Sequence, residues 1–141
     1  MTCLPESFYH DEVTLVARRL LGMRLVHQWK GLRLSGRIIE TEAYRGEEDQ
    51  ACHARVGKTR RNAMLYESGG TSYVYFTYGM HWMLNAVAGE KDYPAGILIR
   101  SILPEEGLEV IEANRKGRPQ AEWCNGPGKI CQALAIDGSL S

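Results

Sequence analysis

Residues 36–44 read Gly36-Arg37-Ile38-Ile39-Glu40-Thr41-Glu42-Ala43-Tyr44. The β-branched residues at the centre of this stretch, with no proline among them, predict a β-strand. Since alternate side chains of a strand share a face, Glu40, Glu42 and Tyr44 are expected to point to one side of the sheet. Ile39 and Ala43 are expected to pack into a core on the other side. The predicted strand therefore presents two carboxylates and a phenol away from its core.

Two interpretations of these carboxylates are open from the stretch alone. A Glu-x-Glu pattern is typical of a solvated strand face, because charged side chains are usually exposed. With a tyrosine beside it, the same pattern also suits a catalytic carboxylate next to an aromatic wall. The rest of the chain has to decide between them.

The segments before this strand predict a helix and a β-hairpin. Apolar residues at helical spacing predict a helix over residues 11–21, with Gly22 as a stop signal. The buried side of that helix is expected to carry Val13, Val16, Ala17, Leu20 and Leu21. Residues 23–28 and 32–44 are predicted strands, and residues 29–31 are the turn between them.

A long loop is predicted over residues 45–70, with an acidic first part and a basic second part. Loops of this length are usually functional or disordered. The polar residues of the basic part are Arg55, Lys58, Thr59, Arg60, Arg61 and Asn62. Clustered cations beside hydrogen-bonding side chains suit a clamp on phosphate groups, and a solvated loop is the alternative.

Aromatic residues dominate the next predicted hairpin. Residues 71–78 and 82–88 are predicted strands, Tyr73 and Tyr75 share a face, and Tyr78 and His81 lie at the tip. Aromatic side chains in strands usually pack in a core or across strands. A tyrosine at a hairpin tip can instead act as a wedge that enters a stack of bases.

Residues 96–102 form a predicted apolar strand with a single charge, Arg100. Burying a guanidinium is costly unless it is paired, so Glu40 or Glu42 is its expected partner. Pro104 is expected to start a helix in its first turn. This helix should bury Leu108, Val110 and Ile111 and expose Glu105, Glu106, Glu109 and Glu112.

The segment Asn125-Gly126-Pro127-Gly128 precedes a predicted apolar helix. Free backbone N–H groups at the helix start, together with Lys129, would make an anion site that Gly128 lets a phosphate approach closely. An ordinary helix entry with Pro127 at the first position is the alternative.

The totals indicate an intracellular protein of one domain, residues 1–141. Seventeen basic and seventeen acidic residues cancel, which argues against a generally cationic protein but allows a local basic patch. We expect no membrane span and no secretory signal, because the chain lacks a run of about eighteen apolar residues and a basic-then-apolar start. The scattered cysteines are expected to be reduced thiols.

Several motifs occur together: Glu-Thr-Glu-Ala-Tyr at 40–44, His53, Tyr-Val-Tyr-x-x-Tyr-Gly-Met-His at 73–81, and Cys-x-Gly-Pro-x-Lys-x-x-Gln-Ala-Leu at 124–134. In this combination the chain resembles the alkyladenine (3-methyladenine) DNA glycosylase family. The resemblance implies an α+β domain with a curved antiparallel or mixed sheet, a protruding tyrosine-bearing hairpin and flanking helices. It also implies a monomeric, water-using enzyme without cofactor or metal that excises alkylated or deaminated purines from double-stranded DNA. Its expected location is the bacterial cytoplasm and nucleoid, or the nucleus of a eukaryote.

The resemblance also implies roles for individual residues. Glu42 is similar to the family's general base, and Arg100 to the arginine that positions the attacking water. Tyr78 corresponds to the intercalating wedge, and Asn85 to the asparagine that crowds a guanine 2-amino group. The expected base-pocket residues are Tyr44, His53, Tyr75 and Asn85. The basic segments add the expected phosphate contacts Lys58, Arg60, Arg61, Gly128 and Lys129.

The chain also departs from the family pattern. Family members usually continue beyond the position of Ser141 with strands that complete the sheet and one side of the pocket, so we expect pocket closure and activity to depend on them. Leu65 stands where the family often has methionine. A non-catalytic binder of damaged DNA is the alternative function. A metal module is a third hypothesis, but no common zinc pattern matches the spacing of Cys52, His53, Cys124 and Cys131.

Overall fold

Antiparallel strands form one curled sheet in this computed structural model, which describes residues 3–46, 48, 52, 54, 57–60, 62–67, 69–77 and 81–141. In the described part the strands are β1 (Arg24–Trp29), β2 (Leu32–Arg45), β3 (Ser72–Thr77), β4 (His81–Val87) and β5 (Ala95–Glu106). They lie in the order β1-β2-β5-β4-β3. The α-helices of the same part are α1 (Val13–Leu20), α2 (Leu108–Asn114) and α3 (Pro127–Leu134). The predicted α+β fold is therefore confirmed.

The β1–β2 hairpin forms at the predicted place because its turn residues adopt positive φ. Trp29 pairs with Leu32, so Lys30 and Gly31 alone make the turn. Their φ values are 49° and 78°. A two-residue turn with positive φ at both positions matches the right-handed twist of the strands. This hairpin sets the path of β2 toward Glu42.

Helix α1 packs its predicted apolar side against the sheet. The Glu12 carboxylate caps the first turn by accepting from the N–H groups of Thr14 and Leu15. The buried residues of the helix are Val13, Val16, Ala17 and Leu20. Leu21, which the pattern assigned to the same side, is 46% exposed. The helix ends one residue earlier, and the extended backbone of Leu21 turns its side chain away from the predicted stripe. Within the described residues, no helix is both long and apolar enough to cross a membrane.

The centre of β2 departs from regular alternation at a β-bulge. In the register between β2 and β5, Ile39 has no opposite residue, and neither has Arg100 on the other strand. As a result Ile38 is 3% exposed, whereas Ile39 is 47% exposed. The prediction that Ile39 packs into the core is therefore wrong. An extra residue in a strand reverses the alternation that a regular strand would keep.

Strand β5 continues beyond the point at which the sequence predicts a helix. Pro104 lies inside β5, opposite Gly36 and next to a register shift, and sheets tolerate proline at such irregularities. The prediction of a helix start at Pro104 is therefore wrong. Helix α2 begins instead at Leu108, which was expected to be buried but is 40% exposed. Ile111 is fully buried, as predicted.

Two glutamates expected on an exposed helix instead form ion pairs with the sheet. Glu105 accepts from Arg24 Nε at 2.9 Å and from Arg37 Nε at 3.3 Å. Glu106 is paired with a different arginine in β2, Arg33. These contacts connect the end of β5 to the β1–β2 hairpin, which explains why the chain stays extended there.

The free energy of unfolding is expected to decrease as the pH falls below about 4.5, because Glu106 is held in its charged form. Hydrogen bonds from Arg33 (3.0 Å) and Ser35 (2.9 Å) lower the pKa of this carboxyl from 4.5 to about 2. A folded-state pKa below the unfolded value stabilises the protein above the unfolded pKa, and this contribution is lost as the pH falls toward the folded pKa.

Denaturant unfolding between pH 7 and pH 2 tests this expectation. Glu106→Gln should lower stability at pH 7 and reduce the pH dependence below about 4.5. Glu109→Gln is the matched control, because Glu109 is exposed on α2 and has no ion pair in the described part of the chain. Equal pH profiles for wild type and Glu106→Gln would contradict the assigned role.

Two apolar clusters pack against the sheet. The larger cluster joins all three helices to the strands, and its fully buried members include Val16, Leu34, Ile97, Ile111 and Ile130. The smaller cluster is built by Cys52, Ala54, Leu65, Tyr66, Tyr73 and Val87, with Tyr44, Met64 and Tyr75 packed against it. Tyr44, Tyr73 and Tyr75, which the sequence singled out, therefore collect in the smaller cluster, away from the main core.

Candidate active site

Beyond the bulge, the side chains of β2 again alternate between the core side of the sheet and its polar side. Thr41 donates to the carbonyl of Ala17 in α1 at 3.0 Å, and Ala43 packs against the larger cluster. Glu42 and Tyr44 point the other way, and the Tyr44 hydroxyl donates a hydrogen bond to Glu42 Oε1. The predicted shared face of these two residues is thus present beyond the bulge.

The sheet register aligns residues from four strands on this face. Glu42 in β2 lies opposite Leu98 in β5, Leu98 lies opposite Asn85 in β4, and Asn85 lies opposite Tyr73 in β3. Directly opposite residues of antiparallel strands project to the same side. Residues more than ten positions apart in the chain therefore form one row that ends at the carboxylate.

A cleft opens on this face, lined by Tyr44, Cys52, Leu65, Tyr73, Tyr75, Asn85 and Gly96. The rings of Tyr73 and Tyr75 lie 5.5 Å apart, as their shared face predicted. Tyr73 is buried, whereas Tyr44 and Tyr75 are partly exposed. Asn85 is 4% exposed and donates to the Tyr73 carbonyl at 3.3 Å. The cleft thus has aromatic walls and one buried amide.

Arg100 meets Glu42 next to Tyr44, one of the residues that line this cleft. Its Nη1 lies 3.1 Å from Glu42 Oε2, and the two side chains are 40% and 41% exposed. The sequence left Glu40 and Glu42 as alternative partners, and the pair forms with Glu42. Glu40 is exposed and has no ion pair among the described residues. Bulges commonly re-aim a side chain near a functional site, and Arg100 is the bulged residue of β5.

The Glu42 carboxylate is oriented but still open to solvent. One oxygen accepts from Tyr44 and the other from Arg100. Ionised carboxylates have about four acceptor sites, so a water molecule can still bind to either oxygen. An oriented carboxylate that can bind water beside an aromatic cleft is suited to general-base chemistry.

The predicted start of α3 is present and is connected to β5. Gly126 is the N-cap and Pro127 occupies the first turn. The carbonyl of Cys124 accepts from Ile102 N at 3.1 Å and from Ser101 Oγ at 3.3 Å. These bonds hold the segment before α3 next to the residues that follow Arg100.

The side chains at this helix start have partners within the protein. Lys129 Nζ donates to Asn125 Oδ1 at 2.8 Å. A Cβ on Gly128 would lie 3.0 Å from the side chain of His81, the first residue of β4. Glycine at position 128 therefore allows close packing of α3 against the tyrosine hairpin, a reason that differs from the predicted approach of a phosphate.

The described part of the basic loop separates exposed cations from a buried amide. Lys58 and Arg60 are exposed, and Lys58 Nζ lies 5.6 Å from the Tyr66 ring centre. Asn62 is 2% exposed, accepts from Thr59 N at 2.6 Å and donates to the Gly57 carbonyl at 3.0 Å. The expectation that Asn62 bonds to phosphates is therefore wrong, because its side chain organises the loop backbone.

Some predicted site residues lie outside the described residues, namely His53, Arg61 and Tyr78. The described hairpin is consistent with the predicted strand pairing, since Thr77 of β3 pairs with His81 of β4. Conversely, the cleft includes residues that sequence reasoning did not assign to it: Cys52, Leu65, Tyr73 and Gly96. A signal existed only for Tyr73, which shares the face of Tyr75.

The cysteines give no support to the metal hypothesis. Burial raises the pKa of the Cys124 thiol to about 11 and that of Cys131 to about 12, and both lie in the larger cluster. Cys52 lies in the smaller cluster. Among the residues that the structure describes, no three His, Cys, Asp or Glu side chains come close enough to hold a metal ion.

Comparison with known proteins gives a consistent result. A family model described as methylpurine-DNA glycosylase matches residues 7–141. A protein of Chlamydia abortus named "Putative 3-methyladenine DNA glycosylase" is 51% identical over 137 residues, covering 94% of this chain and 72% of the relative. Proteins of the same name from Carboxydothermus hydrogenoformans and Methanocella arvoryzae are 44% and 46% identical. They match 98% and 100% of this chain and 72% and 71% of their own lengths.

Proposed function

This chain belongs to the methylpurine-DNA glycosylase family, and we propose that it releases damaged purines from duplex DNA by hydrolysing the N-glycosidic bond. The observation that carries this proposal is the Glu42 carboxylate, oriented by Arg100 and Tyr44 at the edge of a tyrosine-lined cleft. An enzyme that acts on a base in duplex DNA must first evert that base into a pocket. The cleft offers the aromatic surface that such a base requires.

Stacking in the cleft would offset the cost of everting the base. Eversion costs a few kcal/mol, and least for a damaged or poorly paired base. Stacking on an aromatic side chain contributes about 1–3 kcal/mol per base. Tyr44 and Tyr75 are the partly exposed rings of the cleft, and we assign His53 to the same role from its motif. A cationic alkylated purine would gain further from electron-rich ring faces.

In the proposed reaction, Glu42 takes a proton from a water molecule as the water oxygen bonds to C1′ of the deoxyribose. The bond between C1′ and the purine nitrogen breaks, and its electron pair leaves with the base. A cationic alkylated purine leaves as a neutral base, whereas a neutral purine takes up one proton as it leaves. Positive charge develops on the sugar, as in other glycosidic reactions, and the nearby carboxylate stabilises it. Arg100 holds the carboxylate in place and helps to position the water. Base catalysis of this kind contributes about 10²–10⁴-fold.

Other residues of the proposed site act on recognition and on the DNA backbone. The Asn85 amide is proposed to crowd a group at C2 of the purine, and Tyr78 to fill the space that the everted base leaves. Contacts with phosphates are assigned to Lys58, Arg60, Arg61, Gly128 and Lys129. The exposed glutamates of α2 would repel DNA, so we expect that helix to lie on the side of the protein that faces away from the DNA.

Release of free base tests the proposal directly. Duplexes carrying one hypoxanthine or one methyladenine are expected to lose the base and gain an abasic site. An undamaged duplex of the same sequence is the control. Tight binding to the lesion duplex without base release would contradict the hydrolase and favour a non-catalytic binder of damaged DNA.

Lys129→Gln is expected to weaken binding to damaged and undamaged duplexes equally, because a phosphate contact carries no base information. The slope of log K against log salt concentration should become shallower by about one unit. Fluorescence anisotropy over a salt series measures this slope. Lys116→Gln, in the exposed turn after α2, serves as the control and should leave it unchanged. If both variants keep the wild-type slope, Lys129 does not contact phosphates.

A further inference from the structure

Gly96 is a gap in the wall of the cleft. It lies in β5 between Tyr44 of β2 and Val87 of β4, and its position faces the cleft. Both neighbours in this row carry large side chains that belong to the smaller cluster. Gly96 itself contributes only backbone, so the row is interrupted at its centre.

The backbone does not require glycine at this position. Gly96 is absent from the set of glycines with positive φ, and glycine inside a strand weakens the strand relative to a residue with a side chain. Glycine in a strand often marks a place where a ligand or another chain approaches closely. The atoms around the position of a Cβ at Gly96 indicate what limits the space there.

A single flexible side chain limits the space at Gly96. A Cβ at this position would lie 2.9 Å from Leu65 Cδ2, whereas the next atoms, the Ala86 carbonyl and Asn85 Oδ1, are 3.9 Å and 4.0 Å away. Leu65 is 3% exposed and lies in the short 3₁₀ helix Ala63–Tyr66. Gly96 and the tip of Leu65 therefore form one boundary of the cleft, next to the Asn85 amide.

We propose that Gly96 and Leu65 together set how large a substituent the cleft accepts on the purine edge that faces Asn85. This inference rests on the proposed function, because it takes the cleft as the place of the everted base. The edge concerned is the C2 edge, which Asn85 is proposed to crowd. Gly96 should therefore matter most for the acceptance of deaminated purines that carry an oxygen at C2.

Hypoxanthine and xanthine provide a matched pair of substrates, since they differ by the oxygen at C2. A purine with a ring fused across N1 and N6 is enlarged on a different edge and serves as the control. Single-turnover rates and duplex affinities should be measured in one sequence context for wild type, Gly96→Ala, Leu65→Ala and the double variant. The Cβ of alanine would push the Leu65 tip and occupy the space beside Asn85.

Gly96→Ala is expected to lower the xanthine-to-hypoxanthine rate ratio about tenfold, the usual effect of one methyl group in a pocket. The ratio of the ring-fused purine to hypoxanthine should stay unchanged. Leu65→Ala should raise the xanthine ratio, and the double variant should return it toward the wild-type value. Equal losses on all three substrates, or a loss confined to the ring-fused purine, would overturn the proposal.

Two further measurements distinguish a failure of this inference from a loss of stability and from a failure of the proposed function. Thermal unfolding of Gly96→Ala should occur within a few degrees of the wild-type temperature, because the smaller entropy loss of alanine on folding offsets part of the cost of moving the Leu65 tip. If wild type releases no base at all, the proposed function fails, and the affinities then decide the role of Gly96. A lower xanthine-to-hypoxanthine affinity ratio in Gly96→Ala supports the size limit, whereas an unchanged ratio contradicts it.

Discussion

Glutamine in place of Glu42 is expected to slow base release by about 100-fold or more, because a neutral amide cannot take a proton from water. The variant should still bind a lesion duplex as wild type does. Glutamine has nearly the same shape, and its carbonyl oxygen can accept from Tyr44 or Arg100, which hold the carboxylate in the wild type. Single-turnover release of hypoxanthine and anisotropy on the same duplex measure the two quantities.

Glu40→Gln is the matched control for this experiment. Glu40 lies in the same strand, is exposed, and has no ion pair among the residues that the structure describes. Its replacement is expected to leave both base release and binding unchanged. Wild-type rates from Glu42→Gln would show that another group activates the water. Equal losses from both variants would point to the net charge of the strand instead of a general base.

The sequence of β2 predicts most of the geometry around Glu42 in the candidate site, because that information is local. The two-residue alternation correctly places Glu42 beside Tyr44, and the cost of an unpaired Arg100 correctly predicts a carboxylate partner. The same alternation fails at Ile39. The bulge arises from how β2 and β5 fit each other, and nothing within residues 36–44 specifies that register.

The positions of Leu65, Cys52 and Gly96 in the cleft wall could not be predicted from local sequence patterns. Leu65 and Cys52 come from a long loop that has no periodic pattern, and they reach the cleft only through packing in the smaller cluster. Gly96 reads as an ordinary strand residue until the register places it opposite Tyr44. Side chains that meet across the sheet are determined by tertiary contacts, so a single sequence gives no direct signal for them.

Proline illustrates how one local rule can succeed and fail in the same chain. Pro127 starts α3, as the alternative interpretation of residues 125–128 expected, and the glycine N-cap before it leaves the chain free to enter a helix. Pro104 has the same preference for the first turn of a helix, but it lies within β5. The ion pairs of Glu105 and Glu106 with β1 and β2 follow directly, and they keep the backbone extended until Gly107.

Gly107→Ala is expected to be strongly destabilising. Gly107 ends β5 and caps α2 with φ of 76° and ψ of 30°, a left-handed conformation that costs other residues about 1–2 kcal/mol. A Cβ would also overlap Leu34 Cδ2 and lie 2.7 Å from the Arg33 carbonyl. Overpacking of this kind adds about 1–3 kcal/mol. We expect a total loss of about 3 kcal/mol, measurable by denaturant unfolding.

Gly117→Ala separates the two contributions. Gly117 has a similar φ of 79°, but a Cβ there would meet nothing within 4 Å. Only the conformational cost of about 1–2 kcal/mol should remain. The difference between the variants then measures the close approach of Gly107 to β2, the contact that fixes where β5 ends and α2 begins. Equal losses at the two positions would mean that the chain can shift α2 away from Leu34 at little cost.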